Sequence, residues 1–360
     1  MKIVYDGHVF RWYRPSGISR YFEELITRLP QDWVPTVIGV EDTTRNLPRH
    51  PRLAVSVLSG VRPRRYTQLL KNKWWDWRHF RTAQVFHPTY YGIAGGIRPA
   101  DIQCPMVLTV YDFIHATYPR QMEGAESTIR HQGQMIARAD HVICISRATE
   151  RQLWDRYPQA AHKTSVIHLG SSFAITAPPS VDPLEKPTFL YVGGRDGYKN
   201  FLFLLRAFAK ACQSDARLRL RVVGPELNHQ ERWQMHFLGM DDRVDVSIHP
   251  DQQQLQQYYR ECVALLYPSR HEGFGIPPLE AMACGTVAVT ANVTSLPEVV
   301  GDGGLMLDPD RETDWTEAIR QLSNGAIQRR EIITRAQARA ALFTWDDTAR
   351  QHIQIYQKFT

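Results

Sequence analysis

Two glutamates with seven residues between them, Glu272 and Glu280, stand in the segment Pro268-Ser269-Arg270-His271-Glu272-Gly273-Phe274-Gly275-Ile276-Pro277-Pro278-Leu279-Glu280-Ala281-Met282-Ala283-Cys284-Gly285. The segment follows an apolar run, Val263–Tyr267, that reads as a buried strand. It opens a helix whose first turn carries Pro277 and Pro278, residues favoured where no amide partner is needed. Backbone N–H groups left over at such a helix start receive an anion, and Gly273 and Gly275 let a diphosphate approach the chain closely. Carboxylates cannot neutralise a phosphate, but they accept hydrogen bonds from hydroxyl groups. A diphosphate flanked by two hydroxyl-rich groups describes a nucleotide-sugar. The competing reading makes the glutamates surface charges around a glycine-rich turn.

A second segment, Leu190-Tyr191-Val192-Gly193-Gly194-Arg195-Asp196-Gly197-Tyr198-Lys199-Asn200, is a strand, a glycine turn and two cations ahead of a helix. Arg195 offers a planar fork of donors and Lys199 a compact point charge. Both suit phosphate oxygens whose charge grows as a glycosyl bond breaks. Alone, a Gly-Gly-Arg turn reads as a solvated loop, whereas the two segments together point to one site.

These segments need a scaffold that presents both at the carboxyl ends of strands. Short β-rich apolar runs alternate with helical patterns along the chain, the sequence form of βαβ units around parallel sheets. Strands are expected at Lys2–Tyr5, Thr36–Val40, Leu53–Leu58, Gln84–His87, Met106–Val110, His141–Ile145 and Ser165–His168, with helices at Ile18–Leu29, Arg64–Thr82, Thr128–Ala139 and Ala148–Arg156. The second half repeats the pattern. Its strands are Thr188–Val192, Arg219–Val223, Arg243–Ile248, Val263–Tyr267, Thr286–Thr290 and Gly304–Leu307, and its helices include Phe201–Cys212, Glu231–Leu238, Pro278–Ala283, Trp315–Leu322, Gln328–Leu342 and Trp345–Phe359. Pro178, Pro179, Pro183 and Pro187 make Gly170–Pro187 an extended connection. The expected organisation is therefore a first domain over 1–169, a linker over 170–187, a second domain over 188–343 and a helical tail over 344–360 that crosses back onto the first.

A chain of 360 residues exceeds the roughly 250–300 that one core serves, which agrees with two domains. With 43% apolar and 22% charged residues it is far from the disordered regime. The longest nearly uncharged apolar stretch, Ala281 to Ala291, is broken by Gly285 and falls short of the about 18 residues a membrane span needs. The N-terminus lacks the apolar region of a secretory signal, so a cytoplasmic protein is expected. Cys104, Cys144, Cys212, Cys262 and Cys284 are scattered singly, which supports neither a disulfide framework nor a zinc site. Lysines and arginines number 43 against 37 acidic residues, and the net charge of +6 permits an anionic partner without naming one.

On the residues quoted above, the chain resembles the retaining glycosyltransferases of family 4, the "group 1" family with the GT-B fold: α/β, two Rossmann-like doubly wound domains facing across a cleft. Glu272 and Glu280 match that family's paired glutamates in a Glu-Gly-Phe-Gly-x-Pro-x-x-Glu-Ala-Met-x-x-Gly context, and Arg195 with Lys199-Asn200 matches its donor-phosphate pair. Ser295-Leu296-Pro297-Glu298-Val299 and Gly301-Asp302-Gly303-Gly304 match the stretch that follows. The resemblance implies that the first domain binds the acceptor and the second the nucleotide-sugar. Arg195 and Lys199 would bind the leaving diphosphate, Glu280 the ribose, and Glu272 the transferred sugar, with Gly194, Gly273, Phe274 and Gly275 lining the donor. In the first domain, Pro15-Ser16-Gly17 falls where the family has a glycine-rich loop, making Gly17 a donor-binding candidate against the plainer reading of a strand-to-helix turn. Tyr111-Asp112 stands where the family often carries His-Asp, so both are candidates beside the reacting sugar, and His115 reads equally as a structural histidine.

The chemistry implied is a retaining transfer, either same-face substitution, in which the leaving phosphate helps take the acceptor proton and the enzyme stabilises an oxocarbenium-like state electrostatically, or a route through a covalent intermediate. No Asp-x-Asp of the metal-chelating kind stands beside the site, so neither metal nor cofactor is expected, the cations Arg195 and Lys199 supplying the positive charge. Donor and acceptor follow from resemblance to the mannosyl- and rhamnosyltransferase branch. GDP-mannose is the first choice, with UDP-glucose, UDP-galactose and dTDP- or GDP-rhamnose as alternatives, and the acceptor is a saccharide, polyprenyl-diphosphate-linked, in lipopolysaccharide O-antigen, capsule or exopolysaccharide assembly. Residues 62–81 interleave arginine and lysine with tryptophan, which suits peripheral contact with an anionic membrane and equally suits core packing. A nucleic-acid-binding protein would use the same stretch but leaves the paired glutamates unexplained, so no nucleic acid is expected.

Overall fold

A computed structural model describes residues 1–11, 16–40, 47–57, 78–93, 98–176 and 186–360. The chain divides into two compact units, Met1–Gly170 with Thr344–Thr360, and Ser171–Phe343.

Unit 1 contains strands β1 (Lys2–Asp6), β2 (Val34–Val40), β3 (Ala54–Val57), β4 (Val85–His87), β5 (Val107–Val110), β6 (His141–Cys144) and β7 (Thr164–Val166). Helix α1 (Gly17–Thr27) follows β1, and α2 (Ala125–Arg138) and α3 (Arg147–Arg156) flank β6. All pairings are parallel, in the orders β3-β2-β1-β4 and β5-β6-β7. A parallel bridge between Phe86 and Met106 joins the two groups. Ile3 to Asp6 of β1 and all of β5 are buried and mostly apolar, as suits strands covered on both faces, whereas β3 at the edge alternates between half-buried and exposed positions.

Unit 2 contains β8 (Thr188–Val192), α4 (Phe201–Cys212), β9 (Arg219–Val223), α5 (His229–Phe237), β10 (Val244–Ser247), α6 (Gln252–Glu261), β11 (Ala264–Tyr267), α7 (Ile276–Ala283), β12 (Val287–Ala291), β13 (Gly304–Leu307), α8 (Glu312–Ser323) and α9 (Arg329–Ala340). Its parallel sheet runs β10-β9-β8-β11-β12-β13, the doubly wound order in which the chain reverses direction between the first and fourth strands. Helix α6 is absent from the expected elements because its ten residues carry few apolar side chains. Its start is nevertheless marked by Asp251, whose side chain accepts from the Gln254 amide at 2.8 Å.

The connection expected over Gly170–Pro187 begins instead as part of unit 2. Phe173 is buried with its ring edge-on to Tyr259, and the Ser171 amide donates to the Phe343 carbonyl at 3.1 Å. An aromatic ring gains more from that contact than from water. Residues 177–185 of that connection lie outside the described residues. So do residues 62–77 of the Arg/Trp-rich stretch, while Phe80 near its end is buried against Phe86.

The final helix α10 (Trp345–Gln357), capped by Thr344, belongs to unit 1. Gly170 lets the chain pass it, since a Cβ there would run into the backbone of Thr344 and Trp345. Its buried face joins a directed chain of hydrogen bonds. The Nδ1 of His352 lies 2.7 Å from the Thr348 carbonyl and must donate, so its Nε2 accepts from the Tyr21 hydroxyl at 2.5 Å. Tyr21 in turn accepts from Thr109 at 2.8 Å, Thr109 accepts from Nε2 of His87 at 2.9 Å, and Nδ1 of His87 accepts from Tyr356 at 2.6 Å. Every group in this chain is buried, and both imidazoles must be neutral for it to close.

Burial pushes His87 well below the ordinary histidine value and His352 down to about 4. The unfolded chain therefore takes up protons first as pH falls. What these rings contribute is complete above about pH 6.5 and is lost towards pH 4, at about 1.4 kcal/mol per pH unit for His352. Unit 1 is expected to melt at a lower temperature at pH 5 than at pH 7, and His352→Gln to flatten that slope in calorimetric scans. An unchanged slope would count against this origin.

Candidate active site

The carboxyl ends of β8 and β11, adjacent at the switch point of the unit 2 sheet, carry the two segments singled out from sequence. After β8 the chain turns at Gly193, whose φ of 138° favours glycine, and forms a short 3-10 turn over Gly197–Lys199. Asn200 ends that turn in the left-handed conformation, at φ 61°, and anchors it with a 2.8 Å hydrogen bond from its side-chain amide to the Pro309 carbonyl. After β11 the Arg270 amide donates to the Tyr198 carbonyl at 2.8 Å, which ties the two loops together.

This places Lys199 Nζ 2.7 Å from Glu272 Oε1, with side chains only 15% and 9% exposed. The ammonium also lies 5.1 Å from the ring centre of Tyr198 and 5.7 Å from that of Tyr267. Burial alone would lower the Lys199 pKa. The Glu272 carboxylate outweighs it and, with Tyr267 and Tyr198, holds the amine well above the ordinary lysine value, so Lys199 is a cation at neutral pH. Tyr267, buried beside Glu272, is held protonated in the same way, burial first and the carboxylate second.

Glu272 is fixed from behind. Its amide donates to Thr294 at 3.0 Å, and the Ser295 hydroxyl lies 2.9 Å from the Glu272 carbonyl and 2.8 Å from that of Phe274. Gly275 caps α7 at φ 115°, where a Cβ would strike Leu296. Glu280, one turn into α7, is buried, and its Oε2 accepts from the Tyr259 hydroxyl at 3.1 Å. The pair of glutamates is thus a pair of buried carboxylates held on a glycine loop and a helix, which removes the reading of them as surface charges. Gly273 and Phe274 lie in that loop, and Gly194, in the other, accepts the Tyr191 hydroxyl through its carbonyl at 2.5 Å.

Arg195 goes elsewhere. Its side chain is 4% exposed, its Nε lies 3.0 Å from Glu231 Oε1, and its Nη2 donates to the Glu226 carbonyl at 2.7 Å. The structure therefore brings Lys199 to Glu272 and takes Arg195 to the β9–α5 loop. Tyr259, Tyr267 and Glu231, the neighbours of Glu280, Glu272 and Arg195, are contacts that sequence reading misses. Only Glu231 had a local signal, the capping box Asn228-x-x-Glu231.

In unit 1, Gly17 is the first residue of α1, behind the reciprocal cap in which the Ser19 amide donates to Ser16 Oγ at 3.1 Å and the Ser16 amide to Ser19 Oγ at 2.7 Å. Tyr111 is buried and donates its hydroxyl to the Thr89 carbonyl at 2.9 Å, while burial holds its pKa well above the ordinary tyrosine value. Asp112 is half-buried, accepts the Ile114 amide at 2.9 Å, and its charge adds to burial in raising the hydroxyls of Tyr90 and Tyr91. Among the described residues no cluster of three or more histidine, cysteine, aspartate or glutamate side chains is arranged as a metal site, and no helix is long and apolar enough to cross a membrane.

A buried cation, two carboxylates and a glycine loop opening a helix thus lie at a switch point of the sheet, where doubly wound sheets bind ligands. Comparison with known proteins gives the family. Residues 175–339 match the family described as "Glycosyl transferases group 1", and residues 15–171 that described as "Glycosyltransferase Family 4". The O-antigen chain mannosyltransferase B of Escherichia coli is 33% identical over 402 residues, covering 99% of this chain and all of that one. The D-inositol 3-phosphate glycosyltransferase of Streptosporangium roseum is 26% identical, covering 95% of this chain and 88% of that one. Among solved structures, the Anabaena protein Alr3699/HepE in complex with UDP and glucose superposes with a TM-score of 0.79 at 18% identity, over 99% of this chain and all of that one, a likeness that speaks for the fold alone. With the full-length likeness in sequence, the shared fold and both halves matched, the chain belongs to the group 1 glycosyltransferases of family 4 and has their GT-B fold.

Proposed function

We propose that this glycosyltransferase moves mannose from GDP-mannose, with retention of anomeric configuration and without a metal ion, onto a saccharide acceptor held on a polyprenyl diphosphate during cell-surface polysaccharide assembly. The observation that carries the reading is the buried Lys199–Glu272 pair at the β8/β11 switch point, with Glu280 on the adjoining helix. Lys199 neutralises the diphosphate as the bond from sugar C1 to phosphate oxygen breaks. Glu272 accepts a hydrogen bond from a sugar hydroxyl, and Glu280 accepts from the ribose hydroxyls. The acceptor oxygen bonds to C1 on the face the diphosphate leaves, and its proton passes to the departing diphosphate. A fixed ammonium does here what a magnesium ion would otherwise supply. The full-length likeness to an O-antigen mannosyltransferase supports the choice of sugar and acceptor class.

The test is a thermal-shift panel of GDP, UDP, GDP-mannose, UDP-glucose and dTDP-rhamnose, with and without EDTA. A ligand bound only by the native state stabilises it by about 2.7 kcal/mol at a hundredfold excess over Kd. GDP and GDP-mannose are expected to raise the melting temperature with or without EDTA. Glu280→Ala is expected to abolish the shift while unfolding remains cooperative. Stabilisation by uridine or thymidine compounds alone would replace the donor. Loss of the shift in EDTA would overturn the metal-free chemistry, and an inverted product anomer in NMR would overturn retention.

A further inference from the structure

The buried hydroxyl of Tyr259 serves a carboxylate of the site. Tyr259 lies in the last turn of α6, fully buried, and its hydroxyl donates to Glu280 Oε2 at 3.1 Å. Other buried tyrosines, Tyr111 and Tyr191, donate to main-chain carbonyls instead. Three contacts hold Tyr259 in place. Its carbonyl accepts from Cys262 Sγ at 3.2 Å and from the Thr286 hydroxyl, and its ring stands edge-on to Phe173 with centres 5.9 Å apart. Thr286 leads out of α7 into β12, and its amide donates to the Ala281 carbonyl at 2.9 Å. The end of α6 is thus tied to the helix that carries Glu280, so phenol and carboxylate share one frame. Burial first and the Glu280 charge second hold the Tyr259 hydroxyl well above the ordinary tyrosine value, which keeps it a donor.

A carboxylate turns about its last bond in a broad, roughly two-fold well, so an untethered Glu280 would present its oxygens over a range of directions. The hydrogen bond to Oε2 sets that torsion. The neighbouring hydroxyls of a ribose sit on a ring of limited freedom, and an acceptor set in advance binds them without the cost of being ordered on binding. We propose that Tyr259 is a positioning residue that determines sugar specificity: its hydroxyl fixes the Glu280 carboxylate for the hydroxyls of a ribonucleotide and so disfavours nucleotides that lack one. This rests on the reading, given above, that Glu280 accepts from the ribose.

The test is Tyr259→Phe, which keeps the ring against Phe173 and removes the hydroxyl. Binding of GDP and of its 2′-deoxy and 3′-deoxy analogues is measured by titration calorimetry, with the uridine counterparts used if the wild type takes UDP. The wild type is expected to bind at least one analogue about 10²-fold more weakly than the parent, since the missing hydroxyl leaves a buried charged acceptor short of a partner. In Tyr259→Phe that gap should shrink about tenfold, the size of one hydrogen bond to a charged group, through weaker binding of the parent with the analogue almost unchanged. In a Glu280→Gln background the same substitution should leave the gap where it stands, because the coupling is confined to the pair. Phe173→Leu, which loosens the ring and keeps the hydroxyl, should shrink the gap severalfold and carries the test if Tyr259→Phe does not fold. A lower melting temperature with the wild-type gap intact makes Tyr259 a core residue only and overturns the proposal, while the reading of Glu280 stands. A wild type that binds both analogues as tightly as the parent, or binds neither GDP nor UDP, overturns that reading and this proposal together.

Discussion

Lys199→Gln is expected to lower kcat/KM for sugar transfer by about 10²–10³, the range measured when a single preorganised donor to a developing negative charge is removed. The side chain is nearly enclosed, and its charge is the one that unit 2 brings to Glu272, at 2.7 Å. A glutamine can donate a hydrogen bond but cannot offset the second charge that the diphosphate gains on leaving. Removing the ammonium also strands the Glu272 carboxylate in a site that is 9% exposed, so the fold loses stability. These two consequences can be separated. The double variant Lys199→Gln/Glu272→Gln is expected to recover the melting temperature and none of the activity, because a buried pair removed whole costs less than a pair broken. Lys199→Arg should rescue poorly, since a planar fork does not fit where a point charge sits between Tyr198 and Tyr267. Initial-rate kinetics with calorimetry on the same preparations checks all of this. Activity within tenfold of wild type in Lys199→Gln would remove the lysine from the chemistry.

Trp315→Ala is expected to destabilise unit 2 by about 3–5 kcal/mol, the range for deleting a large aromatic side chain from a core. Trp315 is fully buried on α8, its ring meets Phe203 of α4 edge-on at 6.2 Å, and its indole N–H donates to the Asp308 carbonyl at 2.9 Å. The neighbouring Thr316 hydroxyl reaches the Ala207 carbonyl at 3.2 Å, so the α4–α8 contact has little freedom to collapse into the space left. The alanine variant thus suffers a cavity and loses the indole hydrogen bond, while the Asp308 carbonyl keeps the Arg311 amide at 3.3 Å. For a unit of this size the loss corresponds to a fall of roughly 6–20 °C in melting temperature. Trp315→Phe keeps most of the ring and should lose markedly less. In a calorimetric trace that resolves the two units, only the transition of unit 2 should move. A shift below about 2 °C in the alanine variant would contradict this account of the core.

Much of this architecture was legible because a doubly wound domain is built from locally coded pieces. Strands Thr188–Val192, Arg219–Val223 and Gly304–Leu307 and helix Phe201–Cys212 match their expected bounds residue for residue, since continuous apolar runs and a 3.6-residue stripe are properties of a few consecutive side chains. Helix α6 is not legible from apolar content, and neither is the burial of Phe173, which depends on Tyr259, far along the chain.

The sequence by itself determined the family, the two-domain α/β plan and the glycine loop that carries Glu272 and Glu280 into a helix, because these reside in residue types at fixed short spacings. Tertiary structure alone decided which charges meet. Lys199 and Glu272 are 73 residues apart and pair because β8 and β11 are neighbours in the sheet, although β9 and β10 lie between them in the chain. The same sheet order puts β9 on the other side of β8, so Arg195, four residues before Lys199, turns to Glu231. Tertiary structure likewise decides that the Tyr111 hydroxyl donates to the Thr89 carbonyl, 22 residues away in the chain. Spacing along a chain fixes which groups are available. The order of strands in a sheet, a product of long-range burial, fixes which of them share a site.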